Sequence, residues 1–432
     1  MINSYPLPLT NLNQKRRGAM TRFIKNILCL VAVFALVLLV FPAVAPGGET
    51  VKVGLPISLT GKYDVLGMRN LHGAKLWAEW VNENGGIFVK DKGRKLPVKV
   101  IWYDTKSDKD TTIKLTEKLI TEDKVHFLLG PYGSSLTLAS AAITEKYGKL
   151  MFSHSGASDK IWKQGFKYVI GVLTPSSYYY KSTMELMASL DPPIKTVAII
   201  TEDNPFNLSI RKGIKRWAKE LGFKVVFDEV YPSPPTDLSP ILSKVKRLKP
   251  DALLTCSHFK DGVLLAKQAA ELRVYTKFFA LGSAPSTVEW WKAVGPKGAQ
   301  YTAATSQWEP MDAPDPSRFS NWFGPSMTAN QFNAWYKKRW GKPTDFRGTQ
   351  AFAAGLVLQW AIERAGSLNT DEVRAALNKM DIVTLYGRSK IDPATGIQVG
   401  HGMVVAQWQD GKKVVVGPPD IAVGKLVYPR PR

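Results

Sequence analysis

From residue 51 onward the chain alternates short apolar runs with longer stretches whose apolar residues recur three or four apart. Short runs bounded by breakers read as buried strands; the 3.6-residue recurrence reads as helices with one face on a core. Strands are predicted over 51–57, 96–103, 126–129 and 150–152, then over 168–173, 196–201, 224–229, 252–256 and 277–281. Helical faces fall between them. Leu71, Ala74, Trp77, Ala78 and Val81 precede an Asn84-Gly85-Gly86 stop, a helix is expected over 110–122, and Leu238, Ile241, Leu242, Val245 and Leu248 mark another. Repeated strand–helix–strand units predict an α/β fold with parallel sheets flanked by helices, because each crossover returns the chain in the same direction. A Pro-, Asp- and Ser-rich stretch after Trp308 interrupts the alternation. Helices resume over 327–340, 349–365 and 370–377, and a hairpin turning at Asp410-Gly411 joins 403–408 to 413–416.

The polar positions gather where the predicted strands end. Residues 126–129 run into Gly130-Pro131-Tyr132-Gly133, after which Ser134 and Ser135 are natural helix N-caps ahead of Leu136, Ala139, Ala142 and Ile143. Residues 150–152 run into Ser153-His154-Ser155-Gly156-Ala157-Ser158. In an open parallel sheet ligands sit outside the carboxyl ends of the strands, and free N–H groups at a helix start favour an anionic group. Two such loops side by side make a polar cup suited to a carboxylate or amide. Ser58-Leu59-Thr60-Gly61 ends the first strand and borders the same cup. Three later loops, 202–206, 257–261 and 282–285, would form an opposite wall if a second lobe faces the first.

Ahead of residue 51, Lys15, Arg16, Arg17, Arg22 and Lys25 precede an apolar run over 27–40. The run is shorter than the roughly 20 residues of a spanning helix, so 1–48 is expected to be a signal peptide, with Met20 a second candidate start. Cys29 lies inside the run with no lipobox. The remaining cysteine, Cys256, has no partner, so a core rather than a disulfide holds the rest together. That length calls for two lobes rather than one core. The formal charge is +22; removing the five basic residues of 1–48 leaves +17. The basic residues are scattered, without the run or aromatic-interleaved stripe of a nucleic-acid binder.

The order Pro56-x-x-x-Thr60-Gly61, Gly130-x-x-x-Ser134-Ser135 and Ser155-x-Ala157-Ser158 resembles the periplasmic substrate-binding proteins for branched-chain amino acids and amides, the receptors of one class of ABC importer. The resemblance implies a type I fold of two Rossmann-like lobes, 49–172 with 306–384 and 173–305 with 385–432. Three strands crossing near 172, 305 and 385 would form the hinge. It implies that Ser134, Ser135, Ser155, Ala157 and Ser158 hold a ligand's carboxylate end, with main-chain contacts at Ser155 and Ala157. Leu66 would close over the ligand, Phe206 and His258 would cover its body, and Ser283 and Ala284 would line the far end. The family's acidic partner for a ligand ammonium is replaced here by Ala284, and none of Asp203, Asp261 and Glu309 occupies the matching place. A buried ammonium needs a paired charge or several acceptors. An amide, a urea-like compound or a plain carboxylate is therefore as well suited as an amino acid.

An enzyme is not expected. The chain lacks a Gly-x-Ser-x-Gly elbow and a phosphate loop, and its five histidines lack metal-ligand spacing. The sequence points to a monomeric periplasmic receptor without cofactor or metal, delivering a small ligand to an inner-membrane ABC permease. A sensing module that signals to a regulator or membrane kinase is the alternative.

Overall fold

The computed structural model describes residues 48–432; the expected basic and apolar leader lies outside the described residues. Residues 50–432 form one compact unit. Its first sheet holds β1 (Val51–Ile57), β2 (Val98–Asp104), β3 (Phe127–Leu129), β4 (Met151–Ser153) and β5 (Val169–Gly171) in the order β2-β1-β3-β4-β5. All four pairings are parallel. Its second sheet holds β6 (Thr196–Glu202), β7 (Lys224–Tyr231), β8 (Ala252–Cys256), β9 (Phe278–Ala280), β10 (Ala303–Ser306), β11 (Val404–Gln409) and β12 (Lys412–Gly417). The order is β12-β11-β10-β9-β8-β6-β7. The parallel part repeats the 2-1-3-4-5 pattern, and the closing hairpin adds two antiparallel strands beyond β10. β1, β3, β4, β8 and β9 are mostly or wholly buried apolar runs, as sheets covered on both faces require.

Helices α1 (Asp64–Glu83), α2 (Lys109–Thr121) and α3 (Ser134–Lys146) belong to the first set of crossovers, and α4 (Pro205–Leu221), α5 (Ser239–Leu248) and α6 (Phe259–Glu271) to the second. The chain then adds α7 (Ala329–Trp340), α8 (Phe346–Ala365) and α9 (Thr370–Leu377). α8 is buried along most of its length and packs against α1. The two approach so closely that a Cβ at Gly73 would stand 1.9 Å from the Gly348 carbonyl oxygen. Among the described residues no helix is long and apolar enough to cross a membrane.

Two helix starts differ from expectation. The N-cap of α3 is Gly133, at φ 91°, and Ser134 is the first helical residue. The Ser134 hydroxyl faces the next loop instead, accepting from the backbone N–H groups of Ala157 (3.1 Å) and Ser158 (3.0 Å). α8 begins at Phe346 rather than 349, because the Asp345 side chain caps it by accepting from Arg347 N.

The segments joining the two sheets are tied to one another. Thr174 N donates to Gln307 Oε1 at 3.2 Å, and Gln307 Nε2 returns a bond to Thr174 O at 3.1 Å. Trp308 is buried against these segments and donates its indole N–H to Leu385 O. Residues 391–398 run along the edge of β5, where Gly171 N donates to Gly396 O.

Candidate binding site

In each sheet the strand order reverses between its first strand and the third, so the crossovers leave on opposite faces and open a crevice at the carboxyl ends. The reversal lies between β1 and β3 in the first sheet and between β6 and β8 in the second. The loops from these points meet around a void of about 20 Å³, room for about one water. Tyr132, Tyr179, Phe206 and Phe346, with Leu173, supply its apolar walls. Ser155, His258, Ser283 and Gln350 supply the polar groups, and Gly133 lets the first loop pass close by. The Phe206 and His258 rings lie 5.6 Å apart, and Tyr179 meets Phe206 edge-on at 5.2 Å.

At the polar end Gln350 Nε2 donates to Ser155 Oγ at 2.6 Å, and Ser155 Oγ donates to Asn70 Oδ1 at 2.9 Å. Gln350 Oε1 is buried with no partner, so the site holds a free acceptor. Behind Ser283, the fully buried Arg347 donates to the Ser283 carbonyl at 3.1 Å and pairs with Asp345 at 3.3 Å. Burial opposes the Arg347 charge, yet Asp345 beside it holds the guanidinium pKa above its ordinary value.

Behind His258 lies a buried carboxylate. Glu202 ends β6, and its Oε2 accepts from His258 N (2.7 Å), His258 Nδ1 (2.9 Å) and Asn207 Nδ2 (3.0 Å). Its Oε1 accepts from Lys62 Nζ at 2.6 Å. Lys62 comes from the loop after β1, so this bond ties the first sheet's loops to the second's. Lys62 Nζ also donates to Ser233 Oγ (2.6 Å), which donates to Asp261 Oδ2 (2.7 Å). Burial pushes the Glu202 carboxyl up, but His258 and Lys62 outweigh it and hold the pKa well below the carboxylate range. Burial and the Glu202 charge push neighbouring Asp261 up. Further ties join the same two sides: Arg69 to Glu289, Lys260 to Asp64 at 3.2 Å, and Ser158 Oγ to Pro205 O at 2.7 Å.

The model of a family described as periplasmic binding protein matches residues 50–413. This chain belongs to the periplasmic binding protein family. Among curated relatives, Leu/Ile/Val-binding protein homolog 7 of Brucella suis is 24% identical over 402 residues, 89% of this chain and 96% of the relative. Homolog 8 of Brucella abortus is 23% identical over 398 residues, 88% of this chain and 93% of the relative. Among solved structures, the leucine-binding protein LivK of Thermotoga maritima superposes with a TM-score of 0.74 at 22% identity, over 86% of this chain and 99% of that one. LivJ of Streptococcus pneumoniae, in complex with isoleucine, gives 0.73 at 21%, over 86% and 100%. An ABC transporter solute-binding protein of R. palustris, in complex with benzoate, gives 0.72 at 19%, over 85% and 96%. The type I architecture with two lobes, expected from sequence, is the fold these proteins share.

In this periplasmic binding protein four of the ten expected site residues, Ser155, Phe206, His258 and Ser283, line the void. The other six stand elsewhere. Ser134, Ala157 and Ser158 are bonded to one another. Ser135 is half-buried on the first turn of α3. Ala284 opens a 3-10 turn and packs toward Gly262. Leu66 lines a neighbouring groove with Tyr63 and His258. Tyr132, Tyr179, Phe346 and Gln350 were not anticipated. Tyr132 sits inside the quoted Gly-Pro-Tyr-Gly break, and Arg347 with Gln350 are polar residues three apart on a helix with an apolar face, a signal that was available. Glu202 fell in the 202–206 loop expected to form the opposite wall but was not singled out, because its partners Lys62 and His258 are brought to it only by the fold.

Proposed function

We propose that the chain is an extracytoplasmic solute receptor of an ABC importer. Exported by residues 1–48, it closes two lobes over a small organic ligand in the periplasm as a monomer and presents the closed form to a membrane permease. The lobes are 49–172 with 306–384 and 173–305 with 385–432, the third crossing extending over 385–403. The observation that carries this reading is a void placed at the reversal points of both sheets and lined from both. Ligand contacts that exist only when the lobes are shut are what drive closure.

The ligand class is a carboxylate or amide with a flat apolar body, in preference to an α-amino acid. Four aromatic walls suit such a body, and Ser155 with Gln350 suits an amide or carboxyl end. Glu202, bonded to the lining residue His258, is already saturated by Lys62, His258 and Asn207, and Ala284 brings no acid. The fold itself accepts both kinds of ligand, since its solved relatives hold isoleucine and benzoate. The test is a thermal-shift panel of leucine, valine, short amides, urea and aromatic acids, followed by calorimetry. A ligand at a thousand times its Kd adds about 4 kcal/mol. An acid or amide is expected to raise Tm while leucine does not; a panel in which leucine and valine alone bind overturns this ligand class.

A further inference from the structure

A second cavity, of about 790 Å³, lies at the opposite end of the second sheet's strands from the candidate site. It is bordered by the residues that lead into β8 and β9, whereas the binding loops leave from the far ends of these strands. Its lining is strongly basic. Lys249 and Arg273 follow the ends of α5 and α6, Lys277 precedes β9, Lys297 projects from the turn after Gly295, and Arg430 and Arg432 come from the last residues. Asp251 is the one carboxylate side chain of the lining, and it is spent. Its Oδ2 accepts from Lys195 N, Thr196 N and Thr196 Oγ1 at 2.9–3.0 Å, and its Oδ1 pairs with Lys277 at 2.8 Å.

Of the other cations, Lys246 donates to the Leu272 carbonyl at 2.8 Å, and the rest have no such compensation. Lys249, Arg273 and Lys297 are exposed and have no carboxylate partner among the described residues. Arg430 is half-buried with its guanidinium 5.3 Å from the Phe279 ring centre, and burial holds its pKa below the usual value. Arg432 lies 5.0 Å over the Tyr275 ring. Like charges gathered in a concave, partly apolar surface add their fields and concentrate anions there. Guanidinium forks and lysine heads are the groups that bind phosphate oxygens well. The volume falls within the roughly 300–1,000 Å³ of small-molecule sites, more than a single inorganic oxyanion fills.

We propose that this cavity is a second binding site, separate from the interlobe site, for a multivalent phosphate-bearing anion held by Lys249, Arg273, Lys297 and Arg430. Two sources share that chemistry, a soluble polyphosphate and the headgroups of an anionic membrane. Purified protein is titrated with inorganic pyrophosphate at low salt, and is floated with phosphatidylcholine vesicles with and without phosphatidylglycerol. The same is done for the triple variant K249E/R273E/K297E. A control triple, K163E/K338E/K379E, removes the same charge from exposed lysines elsewhere. Circular dichroism and Tm check that both variants fold. Wild type and control are expected to bind pyrophosphate, the cavity variant at least about tenfold more weakly, with binding weakened by salt. Vesicle binding that is lost in the cavity variant alone, without pyrophosphate binding, supports the site and assigns it to lipid headgroups. Equal weakening in both triples, or no binding of either probe by wild type, overturns the proposal.

Discussion

Glu202 is the buried side chain through which the loops of the two sheets are tied together. It is fully buried, and Lys62, His258 and Asn207 satisfy it from two directions. Glu202→Gln removes the charge but leaves Lys62 and His258 in place, so a loss of about 3 kcal/mol in urea unfolding is expected. Its pKa lies below that of an unfolded glutamate, so its stabilisation is full above the ordinary carboxylate range and is lost as pH falls toward the folded value. The variant should therefore lose part of the acid-side slope. His154 acts at milder pH. Buried, with only a neighbouring hydroxyl for its Nδ1, it is pushed down to about 3. The unfolded chain binds its proton below about pH 6.5 and the folded one does not, so stability falls as pH drops from 6.5 toward 3. Between pH 7 and 5 this single group is worth about 2 kcal/mol, and His154→Asn should flatten the slope measured by denaturant titration at the two pH values.

At the scale of elements, the contact of α1 with α8 is set by small residues. Gly73 leaves no room for a methyl against the Gly348 carbonyl. Gly73→Ala is expected to cost about 1–3 kcal/mol by pushing the helices apart, seen as a lower Tm. Most elements were legible in the sequence because breakers bound them. The strand 252–256 and the helix 370–377 match the structure end to end. The misses have one cause. Ser134 was expected to cap α3 and does not, since it is drawn off by two N–H groups of a loop over twenty residues away, and α8 starts three residues early because the Asp345 side chain caps it.

At the scale of the molecule, Lys62–Glu202, Lys260–Asp64 and Arg69–Glu289 hold the two walls of the site together. Lys62→Met is expected to shift the population toward open forms, read as a larger radius of gyration in solution scattering. The same variant frees Glu202 Oε1, while Oε2 stays bonded to His258 and Asn207. Leucine, expected to be silent toward wild type in calorimetry, should then bind measurably; silence toward the variant would count against Glu202 as the group that decides ligand charge.

The sequence by itself determined the α/β alternation, the two sets of strand-end loops and the family, because apolar periodicity and breaker residues are local signals. The family resemblance also pointed to Ser155, Phe206, His258 and Ser283, which stand just past the carboxyl ends of the strands. The tertiary structure alone decided which groups are spent on one another. Ser134 meets Ala157 and Ser158, Lys62 meets Glu202, and Gln350 reaches Ser155 from a helix nearly two hundred residues on. A hydrogen bond or ion pair of a buried group depends on distance in space, and no periodicity along the chain records that distance.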